Sequence, residues 1–293
     1  MKKTLIFSLL IGCLLSFSSC EKETPNSSKF NLLDYCTTTQ ESINWDNHTI
    51  SKVGPNTWIY FYNELSFDTI ILKYADCEDS IRSLKNKLRI RSMSDIYNAD
   101  QLDSLDIYDD FLAAILNSDG IVQIGDYLFE VIFGEDSVRI LEISTSNVTK
   151  VSNNYDFWGQ KEIEATDVNM SKSRYSAEGE NRTGDAKFKL SYQNAVFYHS
   201  IVSKINKPGV ISLGSTPYIY HGITSGNHYT INERNATAQS IMPFFDGGGK
   251  SSYLKKTYKG RKGLKKFNVY ALYQIDNLSG LDPEQYSLHI EKR

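Results

Sequence analysis

The chain has 293 residues and a formal net charge of −3, with 40% hydrophobic and 12% aromatic residues. That length allows one large or two ordinary domains with true cores. The charge balance holds no global basic excess, so no nucleic acid partner is expected, and beyond the first segment no stretch is long and apolar enough for a transmembrane helix.

The first element is an export signal. Lys2 and Lys3 precede an apolar run from Leu5 to Phe17, too short to stay in a bilayer as a spanning helix. Ser18 and Ser19 are small residues suited to a peptidase cut, and Cys20 follows them. The pattern resembles a bacterial lipobox, with Phe17 where Leu is usual. That resemblance implies a signal peptide over 1–19, lipidation of the Cys20 thiol, and a membrane partner reached through the acyl chains. Glu21, Lys22 and Glu23 are similar to the signal that sends Bacteroidetes lipoproteins to the outer face of the outer membrane. The expected location is therefore the outer membrane at the cell surface, with its periplasmic face as the alternative. Cleavage would take Lys2 and Lys3 away and move the formal charge from −3 to −5.

Residues 20–43 are polar and read as a tether. Cys13 leaves with the signal, so Cys36 and Cys77 remain beside Cys20. Export permits a Cys36–Cys77 disulfide, and two separate buried thiols are the alternative. Two lone cysteines at this spacing make no zinc site.

Residues 44–150 read as an α+β domain. Trp58 to Tyr62 is a short aromatic strand. Phe67, Ile70, Ile71 and Tyr74 share one face of a helix over 64–74, with a strand as the alternative because of the β-branched residues. A second helix over 78–88 aligns Ile81, Leu84 and Leu88. Asp100, Asp103, Asp106, Asp109 and Asp110 form an acidic run without the Gly and distant Glu of an EF-hand loop. It reads as a solvated face opening one helix that continues to Leu116. Asn117 to Gly120 then ends that helix. A three-stranded meander follows, its first hairpin turning at Gly125-Asp126 with Gly first, as a type II′ turn requires.

The run from Phe111 to Asp126 ends an apolar helix, passes Asn117-Ser-Asp-Gly120 and closes on Ile124-Gly-Asp126. It is similar to a segment recurring in Bacteroidetes lipoproteins that carry a domain of unknown function. The order of elements from Trp58 to Ile143 also looks like that group. The resemblance implies no enzyme activity and transfers no functional residue.

Residues 151–186 are polar and aperiodic and read as a linker. From Lys187 the hydrophobic period becomes two, and short strands separated by Gly, Pro and Asn run to the C-terminus. Residues 187–293 therefore read as an all-β domain, a sandwich or partial barrel.

The chemistry-bearing candidates are sparse. Lys250, Lys255, Lys256, Lys259, Arg261, Lys262, Lys265 and Lys266 follow one another without an acidic residue, with Tyr253 and Tyr258 interleaved. They form a candidate anionic-ligand loop, or a solvated hairpin whose charge is opposite to that of the 100–110 run. Gly247-Gly-Gly-Lys-Ser251 lacks the first Gly of a Walker loop, which is Phe244 here. Tyr218, Tyr220, His221, His228 and Tyr229 crowd around Gly222 and Gly226 as a candidate sugar platform or ordinary strand residues. The five histidines show no zinc spacing, no Gly-x-Ser-x-Gly elbow occurs, and no catalytic residue, metal or cofactor is nominated. The sequence therefore reads as a lipid-anchored, non-enzymatic binding or interaction module for a glycan or protein ligand. A hydrolase acting on glycan or peptide is the alternative.

Overall fold

The computed structural model describes residues 30–44, 49–76, 78–132, 137–143, 149–151, 154–155, 163–164, 175–180, 186–206, 218–248, 252–276 and 284–293. The signal peptide, Cys20 and Cys77 lie outside these residues. Asn31–Arg293 form one compact unit, where the sequence reading separates an α+β domain from a β domain.

A 3-10 turn at Leu32–Asp34 leads into β1 (Cys36–Asn44), which pairs antiparallel with β2 (Thr49–Phe61). This corrects the tether boundary. Cys36 to Asn44 belong to a sheet because β2 satisfies their backbone groups, and Leu32 and Cys36 are buried. The Cys36 thiol is free, and burial pushes its pKa up to about 12.

α1 (Glu64–Tyr74) starts where the Asn63 side chain accepts the Ser66 amide, at 2.8 Å. Its buried face is Phe67, Ile70, Ile71 and Tyr74, so packing overrides the β-branched residues. α2 (Glu78–Leu88) buries Ile81, Leu84 and Leu88. α3 (Met93–Ile96), α4 (Ala99–Ser104) and α5 (Asp110–Ile115) are short. The single helix expected to run to Leu116 is broken in two. Asp106 sits in the left-handed region at φ 58°, and the Asp109 carboxylate caps α5 by accepting the Phe111 and Leu112 amides.

β3 (Ile121–Ile124) and β4 (Tyr127–Ile132) form the expected hairpin, with Gly125 at φ 57°. β5 (Ser137–Ile143) and β6 (Thr149–Val151) extend it to a six-stranded sheet in the order β1-β2-β3-β4-β5-β6. Only the β2–β3 pairing within it is parallel, because α1 to α5 make the crossover between those strands.

β7 (Asn154–Tyr155) and β8 (Ile163–Glu164) pair with each other. The expected linker also contributes β9 (Ser176–Glu180) to a second sheet, a correction produced by its ladder with the next strand. That sheet contains β10 (Lys187–Asn194) and β11 (His199–Asn206). Residues Ala195–Tyr198 are the turn between them, with Val196 at φ 64°. After them come β12 (Tyr218–Ile223), β13 (His228–Ile231), β14 (Gln239–Ser240) and β15 (Phe244–Gly248). β16 (Ser252–Gly260), β17 (Leu264–Asp276) and β18 (Glu284–Lys292) complete the chain. The second sheet has the order β16-β11-β10-β9. The third runs β14-β13-β17-β12-β15, with β18 also paired to β17. The protein is thus a mostly-β α+β fold.

The second sheet is used on both faces. Phe188, Leu190, Tyr192, Ile201 and Ile205 share a core with Val269, Ala271, Tyr273 and Ile275 of β17. From the same strands, Lys189, Gln193, Ser200 and Lys204 reach the α4–α5 segment. Lys189 Nζ lies 2.9 Å from Asp103, Lys204 Nζ 3.0 Å from Asp110, and Lys256 Nζ 2.8 Å from Asp109. Gln193 accepts the Tyr108 amide at 2.7 Å and donates to the Asp106 carbonyl at 3.2 Å. The β10–β11 turn meanwhile inserts Phe197 against Phe129 and Phe67, at centroid distances of 4.8 and 6.3 Å.

Asp109 is the centre of this seam. Its carboxylate accepts from five groups: the Phe111 and Leu112 amides, the Tyr198 and Ser200 hydroxyls, and Lys256. Neither the Asp109 nor the Lys256 side chain is exposed. Asp109→Ala leaves Lys256 buried without a counter-charge and is expected to cost about 3–5 kcal/mol. Lys256→Met is expected to cost a similar amount, and the double variant less than their sum. Denaturant midpoints measure all three; strictly additive losses would show that the two groups do not couple.

Candidate functional site

The basic stretch of the sequence forms the β16–β17 hairpin and lines a cleft of about 460 Å³ with Asp68, Asp76 and Tyr229. A bulge decides which way its side chains point. Ile201 pairs with Tyr258 and Val202 with Lys256, so Thr257 is the extra residue. Lys256 and Tyr258, two apart, therefore face opposite sides. Lys256 reaches Asp109 and lies 5.5 Å from the Phe111 ring centroid, whereas Tyr258 enters the shared β core. Burial raises the Tyr258 pKa, and its hydroxyl donates to the Lys262 carbonyl.

Two of the other cations, Arg261 and Lys259, meet carboxylates of the N-terminal half. Arg261 forms a two-pronged bridge to Asp68, 2.7 Å at Nε and at NH2, and a third contact of 2.9 Å to Glu64. Lys259 pairs with Asp76 and Lys262 with Glu233. Lys255 lies 4.7 Å from the centroid of the Phe244 ring. Lys265 and Lys266 are exposed, and Lys250 lies outside the described residues. Five of the eight side chains expected to form an anionic-ligand loop, those of Lys255, Lys256, Lys259, Arg261 and Lys262, thus have partners within the fold. An anion entering this cleft would compete with Asp68 for a fork that is already filled.

The acidic run disperses in the same way. Asp100 meets Lys187, Asp106 accepts from the Tyr108 hydroxyl, and Asp103, Asp109 and Asp110 meet the three lysines of the seam. Among the described residues no three His, Cys, Asp or Glu side chains converge on a metal-sized site. Gly247 and Gly248 lie in β15, paired with Tyr220 and Ile219, rather than opening a helix. Three side chains of the aromatic group around Gly222 are described. His221 is buried, His228 and Tyr229 are half-buried, and the side chains of Tyr218 and Tyr220 lie outside the description.

His221 makes the contact nearest to hydrolase chemistry. Its Nε2 meets Ser203 Oγ, and that oxygen lies 2.7 Å from the Tyr273 hydroxyl. Proton order decides what this trio does. Tyr273 donates its one hydrogen to the Lys189 carbonyl at 3.0 Å. Ser203 must then donate to Tyr273, and it accepts from His221 Nε2–H. A nucleophilic serine needs the reverse order, donating to the imidazole. Ser203 and His221 are also 0% and 1% exposed. The trio is a buried hydrogen-bonded network of the core.

His199 forms a second such network. Its Nε2 lies 3.0 Å from the Val196 carbonyl, which can only accept, so Nε2 carries the proton. Its Nδ1 then accepts from the Tyr192 hydroxyl at 3.1 Å, and that hydroxyl accepts the Leu264 amide at 2.9 Å. Burial lowers the His199 pKa to about 3.

The Asp109 hub escaped the sequence reading, although an Asp just before an apolar run is a recognisable helix cap. Lys189 and Lys204 gave no signal, because alternation with Phe188 and Leu190 reads as a solvated face. Comparison with known proteins adds little: no protein-family model and no curated protein matches the chain. Among solved structures, the chain is similar to a DUF4848 family protein from Bacteroides thetaiotaomicron VPI-5482. The identity is 12%, the match covers 86% of this chain and 100% of that one, and the TM-score is 0.18. A likeness of that size carries no argument about fold or activity.

The His199 network generates a pH prediction. Unfolded, the imidazole titrates near its ordinary value of 6.5; folded, it stays neutral down to about 3. The unfolded chain binds the extra proton in that window, so stability is full above the unfolded pKa and falls as pH drops through the window. The slope from this group approaches about 1.4 kcal/mol per pH unit. His199→Gln should flatten the fall in denaturant midpoint between pH 6.5 and 4, and an unchanged slope would refute the assignment.

Proposed function

We propose that the chain is a lipid-anchored envelope lipoprotein of the outer membrane, exposed at the cell surface. Its compact unit would serve as a non-enzymatic binding or interaction module for a glycan or protein. The observation that carries this reading is Cys20, placed where the Leu5 to Phe17 apolar run ends and preceded by Ser18 and Ser19. Each buried acyl methylene contributes about 0.8 kcal/mol, and two or more chains hold a protein where one does not. Ten residues, Glu21 to Phe30, separate Cys20 from the start of the compact unit at Asn31. We read the second and third sheets, which share one core, as the two leaves of a sandwich.

Two features support interaction over catalysis. The Ser203–His221–Tyr273 protons run opposite to a nucleophile and its base. The cations of the cleft are matched to internal carboxylates, which suits a rigid surface.

Cys20→Ala tests the anchor. The variant should move from the membrane pellet to the soluble fraction and should lose incorporation of labelled palmitate. A variant that still sediments with membranes, or a parent chain that takes up no label, would end the lipoprotein reading.

A further inference from the structure

We propose that the outward face of α1 docks on the surface of the bilayer that carries the anchor, with Leu65 and Leu72 entering the headgroup boundary. This rests on the lipoprotein reading above.

Leu65 and Leu72 are 75% and 71% exposed, among the most exposed large apolar side chains of the compact unit. Seven residues apart, they stand one above the other two turns along the helix, with Thr69 between them. They lie directly opposite Phe67, Ile70, Ile71 and Tyr74, so nothing in the core calls for leucine there. Cations flank the stripe. Arg261 sits against Glu64 and Asp68 on one side, and Lys259 reaches the Leu72 carbonyl at 3.5 Å. Lys73 follows on the other side of the wheel. Apolar side chains bordered by Lys and Arg are the pattern of a helix lying in a membrane interface.

The path of the chain selects a bilayer as the occupant. The compact unit begins at Asn31. The Tyr62 hydroxyl donates to the Leu33 carbonyl at 2.9 Å, and the Tyr62 amide to the Tyr35 carbonyl at 3.1 Å. Tyr62 directly precedes Asn63, the cap of α1, so the tether leaves the body beside the start of this helix. Leu33, at that exit, is 61% exposed. Ten intervening residues span at most about 36 Å, however extended. An anchored Cys20 therefore keeps this end of the molecule within reach of the bilayer.

The test uses the full-length acylated chain in vesicles of phosphatidylethanolamine and phosphatidylglycerol. Leu65→Trp and Leu72→Trp are compared with the parent and with Leu272→Trp, a control at an exposed position on β17. The added emission at 65 and 72 should shift to the blue and be largely lost when the lipids carry brominated acyl chains; the control should keep its emission. An anchored, acylated chain in which all three positions behave alike would overturn the docking while leaving the anchor intact. Quenching absent at 65 and 72, together with dimers that Leu65→Glu abolishes, would also overturn it in favour of a second copy. A chain without fatty acid that floats free of the vesicles would remove the anchor and the docking together.

Discussion

A carboxylate with no access to water organises this molecule. Five donors surround Asp109 in the interior, and one of them, Lys256, brings the opposite charge. Those donors come from three places: the first turn of α5, the β10–β11 turn with the start of β11, and the middle of β16. Desolvating two charges is expensive, and the return depends on geometry, so the arrangement specifies position more than it adds stability. If α5 is displaced, Lys256 is left buried and alone. If β16 is displaced, the carboxylate is. The pair thus penalises every packing of the two halves except one.

The rest of the interface follows from that constraint. Lys189 and Lys204 stand on neighbouring strands and meet Asp103 and Asp110 on either side of the hub. Lys189 Nζ also lies 3.9 Å from the centroid of the Tyr108 ring, so the same ammonium meets a carboxylate and an aromatic face. Farther out, Arg261 and Lys259 take the carboxylates of α1 and the residues after it. These outer pairs are partly exposed and contribute little individually. Their acids all come from residues 64–110 and their bases from 187–261, which gives the seam a direction. Phe197 adds the apolar part, since the β10–β11 turn carries it into the core that Phe67 and Phe129 provide. The left-handed Val196 beside it is an unusual conformation for a β-branched residue, and it is held where that aromatic insertion fixes the turn.

The sequence revealed local structure well and long-range direction poorly. α1 and α2 were legible because their apolar residues repeat at helical spacing, and the β3–β4 hairpin because Gly125 can take a positive φ. The split between α4 and α5 was not, since Asp109 has the same composition whether it continues a helix or caps one. β1 was hidden because Thr37, Thr38 and Thr39 are as common in tethers as at the end of a sheet. At the cleft, a period-two reading puts Lys256 and Tyr258 on one face; one bulged residue reverses that, and no property of Thr257 announces it. Opposite net charge between the acidic and basic runs hinted at docking. It named neither Lys189 nor Lys204, because a lysine alternating with core residues normally faces water.

These placements bear on how a surface could be read by a partner. Charged side chains draw attention in a sequence, yet here many of them are already matched within the fold, and a ligand must outcompete a neighbour held at fixed distance. Leu65 and Leu72 face no such competition. They gain nothing from folding, since the helix buries its opposite side, and their helix starts beside Leu33 at the beginning of the compact unit. An apolar residue kept in water is costly only until something covers it. With Cys20 acylated as proposed, the bilayer would be present at high effective concentration, and weak insertion of two side chains would be enough to orient the whole body. Orientation, in turn, would decide which sheet faces outward: with α1 against the membrane as proposed, any partner would have to approach the surfaces that α1 does not occupy.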